Sequence, residues 1–300
     1  MTHDGYIFIY TLNNGFEADL LMDALDKEGI VAMVQTFADT AYDGLFIPQR
    51  GWGRILVPEE DAGRAREVIQ PLIQDLETTQ IYEDPGEIHP LLWNDLEQAD
   101  PDAVSENALV IYEPESNSFR VPFMDGELIV NVPDRTITPA EPMPHLKIGF
   151  QLYMVVLHYL LEAAATPLTG KWVNEKELPG GFMFFQRKGP HATPPEVFTE
   201  YFGSRGEIFK RASLALGGAL EDAGDAAARF RVLPRIPLMF LLWEKDEEFD
   251  AAGHVRFDET VTRHLHGLDA VLAMVDVVAK RLVHAAKALE GVEPDLDEEE

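Results

Sequence analysis

The 300-residue chain contains no cysteine. That absence excludes disulfides, thiolate nucleophiles, zinc-cysteine centres and protein-ligated iron-sulfur clusters, and leaves oxygen and imidazole as the available metal ligands. Positive charge is scarce: 24 Lys and Arg stand against 53 Asp and Glu, a formal net charge of −29. A surface so acidic repels phosphate backbones and anionic lipid, so neither nucleic acid nor membrane is an expected partner. Small molecules, metal ions and neutral or basic proteins remain as partners, and solubility alone is the competing explanation of the acid. Long hydrophobic runs are missing too. The longest, Phe150 to Leu161, is too short for a bilayer and includes Gln151 and His158. The N-terminus shows no basic segment leading into an apolar stretch and a small-residue cleavage site, so it does not read as a signal peptide. A soluble, cytoplasmic protein is expected.

What is present is ordinary globular material, 46% apolar, enough for one large core or two smaller ones. The patterning predicts an α+β protein of two domains. Over residues 1–76, a strand at Tyr6 to Leu12 precedes a helix from Phe16 to Glu28, capped by Asn14 and stopped at Gly29. A strand at Ile30 to Phe37, a pair at Leu45 to Pro48 and Arg54 to Val57 about the Gly51, Gly53 turn, and a helix opened by Pro58 complete a small ferredoxin-like β-α-β-β-α unit. Residues 77–106 carry no Lys or Arg and contain Pro85, Pro90 and Pro101, which predicts an acidic linker. Within it, Ile88, Leu91, Leu92 and Trp93 predict one docked turn.

Residues 107–289 predict a larger α+β domain. It begins with a β-meander at Ala108 to Tyr112, Phe119 to Phe123 and Leu128 to Val132. A central helix follows, from about Leu146 to Ala165, apolar nearly all round. Further helices are predicted at Pro195 to Phe202, Gly206 to Leu220 and Leu268 to Leu289, and strands at Ala228 to Leu233 and Ile236 to Trp243. Residues 290–300 are acidic and are expected to be disordered.

Two constellations can carry chemistry. The apolar run before Trp243 opens into Glu244, Asp246, Glu247, Glu248 and Asp250, with Asp258 further on. Alternation along a strand lets Asp246 and Glu248 converge while Glu247 faces away, and with Asp258 they form a candidate oxygen site for a divalent cation such as Mg, Mn or Ca. The spacing matches no EF-hand loop, and a solvated strand end balanced by Lys245 and Arg256 is the other reading. The second constellation is Thr169-Gly170-Lys171-Trp172 with Pro179-Gly180-Gly181. Its backbone N–H groups, ammonium and aromatic plate suit an anionic or planar ligand, with Arg235 and Trp243 as further contacts. It is no Walker loop, and a turn holding Trp172 against the core is the alternative.

His158, His264 and His266 invite acid-base or metal roles, yet His158 on an apolar helix reads first as a hydrogen-bonded core histidine. His264 and His266, two apart, make a poor chelating pair on a helix. Arg229, Arg231 and Arg235 are expected to pair with Asp225, Asp246 or Glu248, as scaffold first and substrate clamp second. No Ser sits in a nucleophile elbow.

Two resemblances follow from the motifs. Asn14-x-x-Glu17-Ala18, Leu20-Leu21, Glu28-Gly29-Ile30 and Val57-Pro58-Glu59-Glu60-Asp61-Ala62 with Ala65 resemble the prokaryotic signal-transducing domain family, similar in fold to the PII-like, ferredoxin-type proteins. That resemblance implies a regulatory or ligand-sensing module over roughly residues 5–76. His158-Tyr159-Leu160-Leu161, Pro167 to Trp172, Glu177 to Gly181, Gly224-Asp225, Leu233 to Leu238, Trp243-x-x-Asp246-Glu247-Glu248-Phe249 and Phe257-Asp258 resemble a domain of unknown function found in anaerobic bacteria and archaea. This second resemblance implies a fold and a habitat but no reaction. Together they lead to an expected ligand-sensing or accessory role in anaerobic metabolism. A small molecule or metal would sit between the Thr169 to Gly181 loops and the Trp243 to Asp258 segment. One alternative is a divalent-metal enzyme using Asp246, Glu248 and Asp258, with Lys171 or Arg235 steadying an anionic substrate. The other is an acidic module that docks a protein partner.

Overall fold

The computed structural model describes residues 6–12, 18, 21–22, 24–25, 27–36, 53–78, 85–185 and 191–292. It is an α+β protein of two compact units, Met1–Ile81 and Tyr82–Glu300. Among the described residues, no helix is long and apolar enough to cross a membrane.

In the first unit, β1 (Tyr6–Leu12), β2 (Met33–Thr36) and β3 (Gly53–Pro58) form an antiparallel sheet in the order β1-β3-β2. The central strand β3 buries Ile55, Leu56 and Val57 in succession, as a strand flanked on both edges can. Pro58 leads into a short 3-10 turn whose Glu59, Glu60 and Asp61 place negative charge at the positive end of α1 (Ala62–Thr78). Described residues between 18 and 27 are helical, and Gly29 leaves that segment at φ 68°. Leu12, Leu21, Leu25, Ile55, Val57, Ala65 and Ile69 make the core. The Asn14 cap and the strand at Leu45 to Pro48 lie outside the described residues.

Among its described residues the second unit holds two sheets. One is a four-stranded meander, β4 (Ile111–Glu113), β5 (Ser118–Phe123), β6 (Gly126–Asn131) and β7 (Thr136–Pro139), one strand longer than the sequence predicts. The other is antiparallel in the order β8-β12-β11-β10-β9, built from β8 (Trp172–Val173), β9 (Ala219–Glu221), β10 (Ala226–Leu233), β11 (Ile236–Trp243) and β12 (Ala252–Asp258). Met124 N donates to Val232 O at 3.0 Å and ties the two sheets.

Within residues 77–106, read from the sequence as an acidic linker with one docked turn, the stretch from Pro90 onward instead forms α2 (Pro90–Gln98) and most of α3 (Pro101–Ala108) of this unit. The prolines that look like breakers stand in the first turn of each helix, where no intrahelical N–H is needed. His89 and Asp100 cap the two ends, accepting from Leu91 N and Asp102 N at 3.2 Å each. Trp93, Leu96 and Val104 join the large core, Trp93 lying edge-on to Tyr153 at 6.2 Å.

The remaining helices are α4 (Phe150–Glu162), α5 (Gly181–Phe184), α6 (Glu196–Phe202), α7 (Gly206–Ala215) and α8 (Leu268–Leu289). α4 and α8 pack together, α6 and α7 lie against α8, and Phe198, Phe202, Phe209, Phe230, Phe240 and Phe257 fill the space between helices and sheet. α7 ends five residues earlier than the sequence predicts. Gly217 turns at φ 73°, and a Cβ on Gly218 would come within 2.6 Å of the Phe230 ring, so the chain reverses there into β9. β12, absent from the sequence reading, contains Gly253, whose bare Cα lets Phe198 and Thr199 of α6 approach. Of the predicted acidic tail, Glu290 is held by Tyr201 Oη at 2.6 Å and Arg205 Nη1 at 3.1 Å, and residues 293–300 lie outside the described residues.

Candidate functional site

One corner of the larger unit gathers polar groups from several elements. The end of α4, the segment 166–171, the end of β12 and the approach to α8 meet there. Asp258 organises the segment. It is 2% exposed. Its Oδ1 accepts from the Thr260 hydroxyl at 2.7 Å and Thr260 N at 3.1 Å, while Oδ2 accepts from Gly170 N at 2.7 Å. Thr169 adds longer bonds from its N and Oγ1 at 3.4 and 3.3 Å. Burial pushes this carboxyl up, but the Thr260, Gly170 and Thr169 donors outweigh it and hold Asp258 below the usual carboxylate range. Gly170, at φ 73°, supplies the left-handed backbone that aims its N–H at the carboxylate. Lys171 then lies exposed and pairs with Glu259 at 2.6 Å.

Beside this clamp, α4 places His158 and Glu162 one turn apart on one face. His158 Nδ1 and Glu162 Oε1 are 2.6 Å apart, with side chains 28% and 19% exposed. The second Glu162 oxygen accepts from His266 N, and the His266 ring lies 3.9 Å from it. Burial alone would lower His158; the Glu162 hydrogen bond and charge, with Asp269, overcome it and raise the imidazole above its ordinary value. Burial likewise opposes the Glu162 charge, and His158 and His266 hold that carboxyl low. Asp269, in the first turn of α8, is pushed up by desolvation. His264, fully buried, has no hydrogen-bond partner on either ring nitrogen among the described residues. Burial first, then the Arg235 charge, takes it down to about 4, so it is neutral near pH 7.

A family model described as a domain of unknown function, DUF3786, matches residues 100–281, more than half of the chain. The chain belongs to the DUF3786 family. Residues 6–72 match a second model, described as putative prokaryotic signal transducing protein. Neither a curated protein nor a solved structure matches the chain. The DUF3786 match begins just before α3, so that helix, most of it read from sequence as linker, falls inside the match, while α2 precedes it.

The DUF3786 domain separates residues that the sequence reading grouped. In the β11–β12 hairpin, Trp243 pairs with Ala252 at one end and Leu238 with Phe257 at the other. Asp246 and Glu248 lie in the connecting loop and Asp258 at the far end of β12, six residues from Ala252, or about 20 Å along a strand. Among the described residues, no three His, Asp or Glu side chains group so as to hold a metal ion. Asp246 instead closes its own turn, with Oδ1 accepting from Phe249 N at 2.7 Å and Glu248 N at 2.8 Å, which lowers its pKa. Glu244 accepts from Gly206 N at 2.9 Å at the start of α7, and Glu248 is exposed.

Of the predicted ligand contacts, Lys171, Trp172 and Arg235 lie at the Asp258 end of the sheet, while Trp243 lies at the opposite end, exposed and edge-on to His254 at 5.1 Å. Trp172 is half-buried beside Ala227, Met239 and Leu241 on the sheet face away from the helices. Arg235 donates to the carbonyls of Asn107, Glu106 and Thr166, fastening the last turn of α3 rather than pairing with Asp225, Asp246 or Glu248. Arg229 pairs with Glu221 at 2.8 Å. Gly180, at φ 77°, and Gly181, where a Cβ would meet Glu175 O at 1.9 Å, are required by the turn into α5. Glu162 and Asp269 escaped the sequence reading. The signal for Glu162 was its i, i+4 spacing from His158.

Proposed function

We propose that this is a cytoplasmic accessory or regulatory protein whose DUF3786 domain binds a small molecule at the His158–Glu162–His266 corner without turning it over. In this proposal residues 6–72 serve as a PII-like, ferredoxin-type signalling module, in keeping with their family match and the strand and helix order of their described residues. A setting in anaerobic metabolism rests on the motif resemblance alone. One observation carries the reading. His158 and Glu162 form a short ion pair that stays partly open to solvent, whereas Asp258, Lys171 and Arg235 are committed to backbone groups or to Glu259. With Glu162 on Nδ1, the remaining ring nitrogen of a protonated His158 is a donor for an anionic or acceptor-bearing ligand.

A thermal-shift screen of carboxylates, nucleotides and sugar phosphates tests this directly. Upward Tm shifts that vanish in His158→Gln, with the unliganded variant still folded, are expected; shifts unchanged in the variant would refute the corner as the site.

The pair also predicts a pH signature. His158 is raised in the folded state, so its contribution is complete below its unfolded value of 6.5 and is lost as pH rises through the folded value. Glu162 is lowered, so its contribution is complete above its unfolded value of 4.5 and is lost as pH falls through the folded one. Glu162→Gln is therefore expected to cost about 1–2 kcal/mol between those two values and less on either side, as read by urea denaturation across pH.

A further inference from the structure

Arg281 stands on the apolar stripe of α8 with its side chain 1% exposed. Its Nη1 bonds Asp125 Oδ1 at 2.7 Å and reaches Met124 Sδ at 3.5 Å. Its Nε and Nη2 have no hydrogen-bond partner among the described residues. These two nitrogens share one edge of the guanidinium, the side fork that receives two oxygens of a carboxylate or phosphate in parallel. A buried fork of this kind calls for an acceptor, because a donor taken out of water without a replacement bond is costly.

A second orphan lies one turn further along α8. His284 Nδ1 is buried without a partner among the described residues, while the same ring hydrogen-bonds the backbone of His145. Burial lowers both His284 and His145, so both are neutral near pH 7. The charged groups acting on them are Arg281 and Asp125 at His145, and Lys287 and Lys280 at His284. Asp125 already balances Arg281, so an anion bound at the fork would favour a protonated His284, whose Nδ1 would then be a third donor. The two residues beside these groups, Met124 at Arg281 and His145 at His284, both hold left-handed conformations, at φ 50° and 69°, with full side chains. None of these groups belongs to the His158 corner, since Asp269 and Arg281 are twelve residues apart on α8, about 18 Å.

We infer that the Nε and Nη2 edge of Arg281, with His284 beside it, binds a small oxyanion, a carboxylate or a phosphate, between the Met124–Asp125 turn, the His145 loop and α8. This site goes beyond the proposed function and stands without it.

The test uses the full chain at pH 6 with sodium acetate, sodium phosphate and sodium chloride at matched ionic strength. Acetate or phosphate is expected to raise Tm above the chloride control by about 3–6 °C at ten times its Kd, and whichever does so identifies the oxyanion. Arg281→Lys keeps the charge and loses the fork, so the increment is expected to disappear. Should that variant not fold, the Arg281 Nε–H resonance of the unmodified protein decides, and it is expected to shift with the stabilising anion and not with chloride. Identical Tm values in all three salts, an increment that survives in Arg281→Lys, or an Nε–H resonance indifferent to both anions would mean the fork holds water only, and would overturn the inference.

Discussion

Replacing Trp93 with alanine is expected to destabilise the larger unit by about 3–5 kcal/mol, the usual cost of emptying a buried aromatic site. The ring is 4% exposed, lies in the large core with Leu96 and sits edge-on to Tyr153. For a domain of this size the cost corresponds to a fall in Tm of roughly 6–20 °C. An exposed tryptophan in an idle tether would cost within about 0.5 kcal/mol. Thermal denaturation of the full chain, followed by circular dichroism, separates these outcomes. A small change would return residues 85–98 to the linker that their prolines and acidity first indicate.

Asp258→Ala is expected to be the most damaging change at the polar corner, costing about 3 kcal/mol in urea denaturation at neutral pH. The carboxylate accepts from the Thr260 hydroxyl and from the backbone of Thr260 and Gly170, and its removal strands those donors in a buried place. Asp258→Asn should recover part of the loss, since one of its two amide positions still accepts and the other confronts an N–H. Because the folded-state carboxyl lies below its unfolded value of 3.8, the stabilisation is present above that value and is lost as pH falls through the folded one. A cation ligand would behave differently: metal addition would stabilise the wild type and leave the variants unaffected.

The legible parts of this sequence were those whose periodicity matched one element. α8 showed its apolar stripe over six turns, and β10 and β11 were visible as apolar runs about the Arg235 turn. α2 and α3 were obscured because proline in a first helical turn looks in sequence like proline in a loop. The carboxylates misled for a related reason. Spacing along a strand places Asp246 and Glu248 on one face, but β11 ends at Trp243 and Asp246 lies in the turn beyond it. Asp258 was then counted with its neighbours in sequence, although the hairpin carries it to the other end of the sheet. Arg281 was concealed by its own stripe. A charged residue at a position shared with Met274, Val278 and Ala285 is a signal only when the full stripe is known to be buried.

The corner at His158 is the central claim, and native mass spectrometry of untagged protein purified without chelator, set beside its denatured mass, tests it most directly. The account predicts an excess native mass that is lost in His158→Gln and retained in Asp246→Asn. Loss of that mass in Asp246→Asn with retention in His158→Gln would contradict it and return the site to the β11–β12 loop.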